Sequence, residues 1–530
     1  MRACRERVRA ATSGHDFRVL RFALRAHAGD RCMSASASLP SLALPAVGAA
    51  PLTRASRRPG GRSRLFAAAA AVSLALAVAG CGGGGGSTPA PPPPPQPPIG
   101  PLAWGEITTL ATAPAAVGQP AAAADAAGTV AVLWSQTGVV PRAGDPPSAN
   151  PYVVSRENTA AGGWASVLLI DTPAAGDAAT DRVSGLQTLG GAPALSAAWV
   201  RMPAAGAAPN DAVRSARRSG AGIWDARVAA AGVSGLARSE LTGASNAAGV
   251  QALAWVEPVG GVPQVQLRVR AAGAAVWTAP ALPVQTSASL AGGSPALAID
   301  SQGRVAIVWR QLVNGAGELR SRTLDAATLV YSSELPVDSG QPDMRNPRLI
   351  AYGDNKFLVT WEQLAGTVYE LRSKTGTQAA WLAGARRIDS RVESVSAALV
   401  LADPGETALA LWQQAGQLFA SRWASATGNW SLPVPVPGSS GAVDLRAGSD
   451  ANGRAILVWR QPNSTAGHDL VYAVASGALP TLSAVTLLEV ADGSVSAPAL
   501  AVGSGGAAAV TWLQAIAGQS QPNVVTRVLR

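Results

Sequence analysis

Apolar positions along this chain form two distinct patterns. One run, Leu65 to Gly80, is unbroken and holds only apolar and small residues. Beyond Pro101 the apolar residues fall into short segments that repeat: an apolar stretch, a polar turn, then an alternating stretch closing on tryptophan. The clearest copies are PAAAADAAGTVAVLWSQ, PALAIDSQGRVAIVWRQ, PRLIAYGDNKFLVTWEQ and DLRAGSDANGRAILVWRQ, built around Trp134, Trp309, Trp361 and Trp459. Fainter copies reach Trp199, Trp255, Trp412 and Trp512. Short runs with alternate residues apolar, bounded by Asp, Asn and Gly, predict strands.

Each copy predicts four strands. Turns such as Asp300 to Gly303 and Asp450 to Gly453 join the first to the second, which carries the tryptophan. A third run pairs small and basic residues, as in Leu319 to Arg322, Leu371 to Lys374 and Phe419 to Arg422, and a fourth starts at an aromatic: Trp164, Trp224, Trp277, Tyr331, Trp381 or Trp430. Successive second-strand tryptophans lie 65, 56, 54, 52, 51, 47 and 53 residues apart. That period belongs to propeller blades and is too long for most helical repeats. The segment PLAWGEITTL at 101–110 is an orphan fourth strand, and NVVTRVLR at 523–530 is a third strand without a fourth. Pairing the two leaves no open sheet edge. The expectation is an all-β, eight-bladed β-propeller over 101–530, closed by its N-terminal strand. A seven-bladed ring with one degenerate unit is the alternative, and an open array of two-sheet domains would expose edges.

Charge removes one class of partner. The formal net charge is +10, but residues 1–81 hold 13 basic and three acidic side chains, so the remaining 29 basic and 29 acidic groups cancel. A neutral domain has no electrostatic footprint for nucleic acid. The cysteines are Cys4, Cys32 and Cys81, and beyond the leader the one histidine is His468. Disulfides, thiolate metal sites and Ser-His-Asp chemistry are therefore not expected in the repeat, nor is a cofactor or metal.

Arg57, Arg58, Arg62 and Arg64 precede the Leu65 to Gly80 run, which is short of the ~20 residues that span a bilayer. It ends in Val78-Ala79-Gly80-Cys81, which resembles the lipobox of bacterial lipoproteins. The resemblance implies cleavage between Gly80 and Cys81, a lipid thioether on the Cys81 sulfur, and acylation of the new amino terminus, palmitate being a usual chain. Five glycines after Cys81 could not continue a helix. Gly82 stands where an aspartate would favour inner-membrane retention, so the outer membrane is expected, facing the periplasm or the cell surface. Residues 1–80 are thus the leader, of which 1–50 match no part of a signal peptide and are consistent with a later translation start at Met33 or near Leu52. Residues 81–100 are the lipidated cysteine and a Gly/Pro-rich spacer.

Recurrent residues read as architecture. The eight tryptophans, the Gln two places after most of them (Gln136, Gln311, Gln363, Gln414, Gln461 and Gln514, with Glu257 in the third copy) and the third-strand bases (Arg156, Arg270, Arg322, Lys374, Arg422 and Arg527) fit blade packing, amide satisfaction and pairing with acids between blades. The Asp-containing turns carry single acids, too few for calcium's six to eight oxygens, and read as tight turns. Candidate ligand contacts lie where the repeat breaks, in the loops between second and third strands. These contain Arg142, Asp145, Asn150 and Tyr152 in the first blade, Arg201, Asn210 and Asp211 in the second, and Asn463, His468 and Asp469 in the seventh. Asp177, Asp181 and Arg182 in the longest inter-blade connection can reach the same rim.

The fold does not select a function. With its lipobox and blade count, the chain resembles the lipoprotein propellers of the outer-membrane assembly machinery in architecture; Thr427-Gly-Asn-Trp430 matches their Thr-Gly…Trp turn, and the rest of their motif series is missing. That likeness implies a monomeric, non-catalytic binding or scaffold protein, held in the membrane by its N-terminal lipid and meeting an envelope protein or a glycan. The alternative is a sialidase-like or other glycan-active enzyme. Sialidases use an arginine cluster, a tyrosine nucleophile and carboxylates, and the tyrosines of this chain are Tyr152, Tyr331, Tyr352, Tyr369 and Tyr472. Here the Asp-x-x-Gly turns sit one strand earlier than in that family. For the anchor, Cys81→Ser should leave an unprocessed precursor without lipid, checked by mass spectrometry of the intact protein; normal acylation of that variant would refute the assignment.

Overall fold

A computed structural model describes residues 102–112, 116–137, 151–159, 161–171, 182–189, 195–202, 212–220, 223–225, 228–231, 235–278, 281–340, 342–464, 467–489 and 493–530. Gly80, Cys81, Arg142, Asp145, Asn150, Asp177, Asp181, Asn210 and Asp211 lie outside the described residues.

The period-two patterns form strands throughout, and they group into eight antiparallel sheets. Blade 4 shows the plan. Its inner strand Gly292–Ile299, second strand Arg304–Val313, third strand Ala316–Asp325 and outer strand Leu335–Asp338 pair in chain order. Inner strands of successive blades touch all the way round, including blade 8 against blade 1. The eighth sheet has Val495–Val502, Ala508–Gln514 and Asn523–Leu529 as its first three strands, and Thr108–Ala111 as its fourth. Thr108 pairs with Thr526 and Thr109 with Val525, so the ring is eight-bladed and closed by the N-terminal strand. The seven-bladed alternative falls because the weakest repeat, around Trp199, forms a full sheet with Arg182–Leu189 inside it.

Strand direction alternates within each blade, which sorts the connections. Turns from inner to second strand and from third to outer strand share one face, called here the turn face. Loops from second to third strand and the inter-blade connections share the other, the loop face.

Each tryptophan fills the gap between its own blade and the one before. All eight are fully buried. Trp309 packs with Val265 and Leu267 of blade 3, Trp361 with Val308 and Leu319 of blade 4, and Trp134 with Leu110, Leu513 and Val524 across the closure. In six blades the indole N–H donates to the Gln Oε1 two residues on, at 2.8 to 3.2 Å. The Gln amide then donates to a carbonyl of the connection entering the same blade: Gln414 to Glu393 O, Gln461 to Ser440 O and Gln514 to Gly493 O. The residue pair therefore seals each blade's own indole and its incoming chain.

The third-strand bases act differently from their sequence expectation. Arg322 donates to Val284 O, Lys374 to Val337 O and Arg527 to Leu488 O, each a carbonyl on the preceding blade. The irregular backbone beside the outer strands leaves carbonyls free for these donors. Pairing with an acid of the preceding blade occurs at Lys374 and Asp338, 3.4 Å apart, whereas Arg422 pairs with Asp403 of its own blade. Outer aromatics staple the same gaps: Trp277, Trp381 and Trp430 donate to Ser215, Ser321 and Ser373 of the blade before. The turn acids cap backbone amides, with Asp300 Oδ1 accepting from Gln302 and Arg304 and Asp450 Oδ1 from Asn452 and Arg454.

Truncating a buried tryptophan removes its packing and orphans its amide partner. Trp309→Ala should cost about 3–5 kcal/mol, read as a shift of the urea midpoint; an unchanged midpoint would contradict this packing role.

Candidate functional site

The inner strands carry a feature the repeat pattern hides. Near its loop-face end each inner strand from blade 2 to blade 8 bulges, at Gly185, Glu240, Ser294, Asn346, Ala397, Asp444 and Ala497, with φ between 49° and 59°. The register slips at each of these points. Six of the seven are not glycine, so the ring holds a left-handed conformation that side chains resist. Polar bulge residues occupy three consecutive blades at Glu240, Ser294 and Asn346, and a fourth at Asp444. The first three mark one sector of the loop face.

In blades 4 and 5 of that sector the residue after the strand tryptophan is also charged, as Arg460 is in blade 7. Arg310 follows Trp309 and Glu362 follows Trp361, where other copies have Ser135, Val200, Val256, Gln413 or Leu513. Arg310 forms a 2.6 Å ion pair with Asp343 of blade 5 and donates through Nε to Met344 O at 2.9 Å. The Tyr369 hydroxyl donates to the other Asp343 oxygen at 3.2 Å. Arg345 lies over the Tyr369 ring, 3.4 Å from its centroid, and pairs with Glu362 Oε2 at 2.8 Å. Asn346, the bulge residue, donates to that same oxygen at 3.1 Å. The result is one continuous chain, Arg310, Asp343, Tyr369, Arg345, Glu362 and Asn346, drawn from two blades. Its arginines and Asp343 are part-exposed while Glu362 is buried, and Glu362 Oε1 has no hydrogen-bond partner.

Beside this chain a cavity of about 460 Å³ opens between blades 3 and 4, with Glu240, Glu257 and Arg310 as its charged lining and Pro258, Pro263 and Leu312 as its apolar wall. Glycines make room for the arrangement. A Cβ on Gly317 would overlap both Arg310 and Asp343, and one on Gly293 would crowd the Glu240 carboxylate. Glu240 in turn accepts from the Ser294 amide of the next blade.

A larger opening of about 610 Å³ lies on the axis at the turn face, reached by residues of six blades. Its acids are committed to structure. Asp450 caps its turn and pairs with Arg454 at 3.1 Å, and Asp403 pairs with Arg422 at 2.5 Å. Burial raises the Asp403 carboxyl above its ordinary range, against the pull of Arg422.

The candidate loop residues scatter. Tyr152 is buried in the layer between blades 8 and 1 with Trp134. Arg201 is 3% exposed and sits between blades 1 and 2, donating to Pro151 O and lying 3.7 Å from Asp171. Asp171 also accepts the Trp199 indole N–H and pairs with Arg214. Arg201 broke the Gln pattern because blade 2 takes its indole acceptor from the neighbouring blade. Arg182 is exposed at the start of the blade 2 inner strand. His468 and Asp469 open the third strand of blade 7, where Asp469 accepts from Asn463 at 2.8 Å. Among the tyrosines, Tyr331 is largely buried and its hydroxyl is pushed up by that burial, Tyr352 packs on Trp423, and Tyr472 packs on Trp104. Tyr369 is bonded to Asp343 and lies under Arg345. Sequence reasoning missed its cluster, and charge immediately after Trp309 and Trp361 does not single it out, because Arg460 follows Trp459 in the same way.

No protein-family model and no curated protein matches the chain. Among solved structures, a protein of unknown function from Dyadobacter fermentans is similar at 10% identity and a TM-score of 0.37, over 56% of this chain and 95% of that one. An ulvan lyase, a polysaccharide lyase solved with a bound sugar, is 9% identical with a TM-score of 0.44, over 70% and 96%. The β-propeller domain of the Trilobed protease from Pyrococcus furiosus is 10% identical with a TM-score of 0.38, over 66% and 95%. These likenesses concern the fold.

Gly317→Ala should displace the Arg310–Asp343 pair and destabilise by about 1–3 kcal/mol, as overpacking does. In an Arg310→Ala background the same change should cost less than half as much, a coupling that a double-mutant cycle measures. Equal costs in both backgrounds would mean that Gly317 does not serve the pair.

Proposed function

We propose that this protein is a non-catalytic binding module of the cell envelope, tethered in the outer membrane through Cys81, and that its loop face over blades 3 to 5 takes a hydroxyl-rich ligand of the glycan class. The carrying observation is the chain from Arg310 through Asp343, Tyr369 and Arg345 to Glu362, part-exposed beside the 460 Å³ cavity. Its two cations and two anions match, so it exerts little long-range pull on a charged partner. At close range it alternates donors and acceptors at hydrogen-bond spacing, which suits hydroxyls that do both. Pro258, Pro263 and Leu312 offer an apolar wall to the C–H face of a sugar ring. Gly317 and the bulges fix the groups beforehand, which lowers the ordering cost of binding. The arginine-flanked apolar run ending at Cys81 supports the tether.

One observation favours a second reading, a glycan-active enzyme. The Tyr369 hydroxyl is held by Asp343, itself paired with Arg310, which is a tyrosine, carboxylate and arginine in contact.

The two readings separate on one purified protein. On a glycan array followed by calorimetric titration, Arg345→Ala combined with Tyr369→Phe should weaken binding at least tenfold, about 1.4 kcal/mol, with the unfolding midpoint held to within a few degrees. Unchanged binding would remove this surface from the proposal. Turnover of a glycan substrate that Tyr369→Phe abolishes would replace it with the enzyme.

A further inference from the structure

Exposed aliphatic side chains recur on the turn face, one beside each outer-strand start in six consecutive blades: Ile223, Val276, Val330, Leu382, Leu432 and Leu479. They are 61% to 84% exposed. Their neighbours explain the position but not the residue type. In blades 2 to 5 the aliphatic residue flanks an outer aromatic, Trp224, Trp277, Tyr331 or Trp381, that turns into the blades, so its neighbour faces water, whereas Leu432 lies two residues past Trp430 and Leu479 three before Leu482. Nothing in the packing asks that residue to be aliphatic, and blade 1 places Gly163 and Ala165 there. Single exposed aliphatics are ordinary, whereas a regular crown of them on one face is a surface feature.

The chain enters the ring from this same face. Trp104 bridges to Leu529 at the position of the outer aromatics, and Leu102 N donates to the Tyr472 hydroxyl of blade 7. The spacer therefore leaves in the place of blade 8's own hairpin turn. Residues 82–101 alone separate Leu102 from Cys81, a reach of at most ~70 Å when extended.

We propose that the turn face rests on the lipid bilayer, with the aliphatic crown inserted shallowly among the headgroups and the loop face presented away from the membrane. This rests on the Cys81 anchor. A short tether holds the face at high local concentration near the lipid, so a contact too weak to bind unaided becomes populated. The spread of the crown around a ring, instead of into one patch, matches a flat fluid surface better than a protein knob.

The test uses the full-length lipidated protein in vesicles of phosphatidylethanolamine and phosphatidylglycerol carrying brominated acyl chains. Leader removal and lipidation consume Cys4, Cys32 and Cys81, so a single new cysteine can be labelled with an environment-sensitive fluorophore at Leu432→Cys on the turn face or Val259→Cys on the loop face. The Leu432 label should shift to the blue and be quenched at least twofold more than the Val259 label. In a second variant, Leu382→Ser with Leu479→Ser should reduce quenching of the Leu432 label by half or more while flotation with the vesicles persists. Equal quenching at both faces, with flotation intact, would overturn the proposal and leave the anchor standing. Undiminished flotation of a chain begun at Gly82, which keeps every described residue and has neither leader nor native cysteine, would instead remove the anchor, and selective quenching at Leu432 in that chain would leave the crown as a membrane contact of its own.

Discussion

An indole sealed in an apolar gap must still satisfy its N–H, and this requirement organises the ring. Each blade buries one tryptophan against the blade before it, and each indole finds an acceptor on its own blade or that neighbour. Where the acceptor is a glutamine, nothing further is needed. Where it is a carboxylate, a cation follows: Glu257 under Trp255 pairs with Arg238, and Asp171 under Trp199 pairs with Arg214 and lies beside Arg201. A buried carboxylate without a counter-ion would be costly, so exchanging an amide for an acid at this point changes a second residue as well. The charge pairs at Asp171 and Glu257 arise for that reason, and they serve architecture.

This accounting explains what could be read from sequence. Blade number, strand order and closure were legible because each rests on a period that survives drift in every other residue: tryptophans at a near-constant spacing, and Trp104 standing alone ahead of the first full copy. The loop-face cluster was not legible, for two physical reasons. Left-handed bulges at Glu240, Ser294 and Asn346 leave no mark when the residue is not glycine. Tyr369, Asp343 and Arg310 meet only because strands from different blades converge near the axis, and separations of 26 and 33 residues carry no spacing rule. Arg201 drew notice as a break in the repeat, yet a break in sequence here meant a different solution to the same indole problem.

Polar side chains tie neighbouring blades together on both faces. On the turn face Asp300 and Asp450 close hairpins by accepting from amides of their own turns, and Asp300 also accepts from the Asn355 amide of the next blade. On the loop face the corresponding groups reach across blades, as Glu240 does to Ser294 and Arg310 to Asp343. The turn face does the same through Asn355 to Asp300 and Lys356 to Glu406, and leaves aliphatic tips outside. The loop face sets its part-exposed charges beside exposed aliphatics of its own, Val259 and Val392 among them.

The strand that locks the ring is the first part of the domain to leave the ribosome and the last to find its partner. Arg527 and Gly105, which hydrogen-bond across the seam, are 422 residues apart. Blades 2 to 7 can pack as they are made, since each of their tryptophans needs only the blade before it; Trp134 and the eighth blade must wait until the whole domain has been synthesised. Until then Thr108–Ala111 is an unpaired β-segment and the edge of Asn523–Leu529 does not yet exist. Closure at the seam is thus the natural slow step of maturation, and the interval before it is when the chain is open to misassembly with its neighbours.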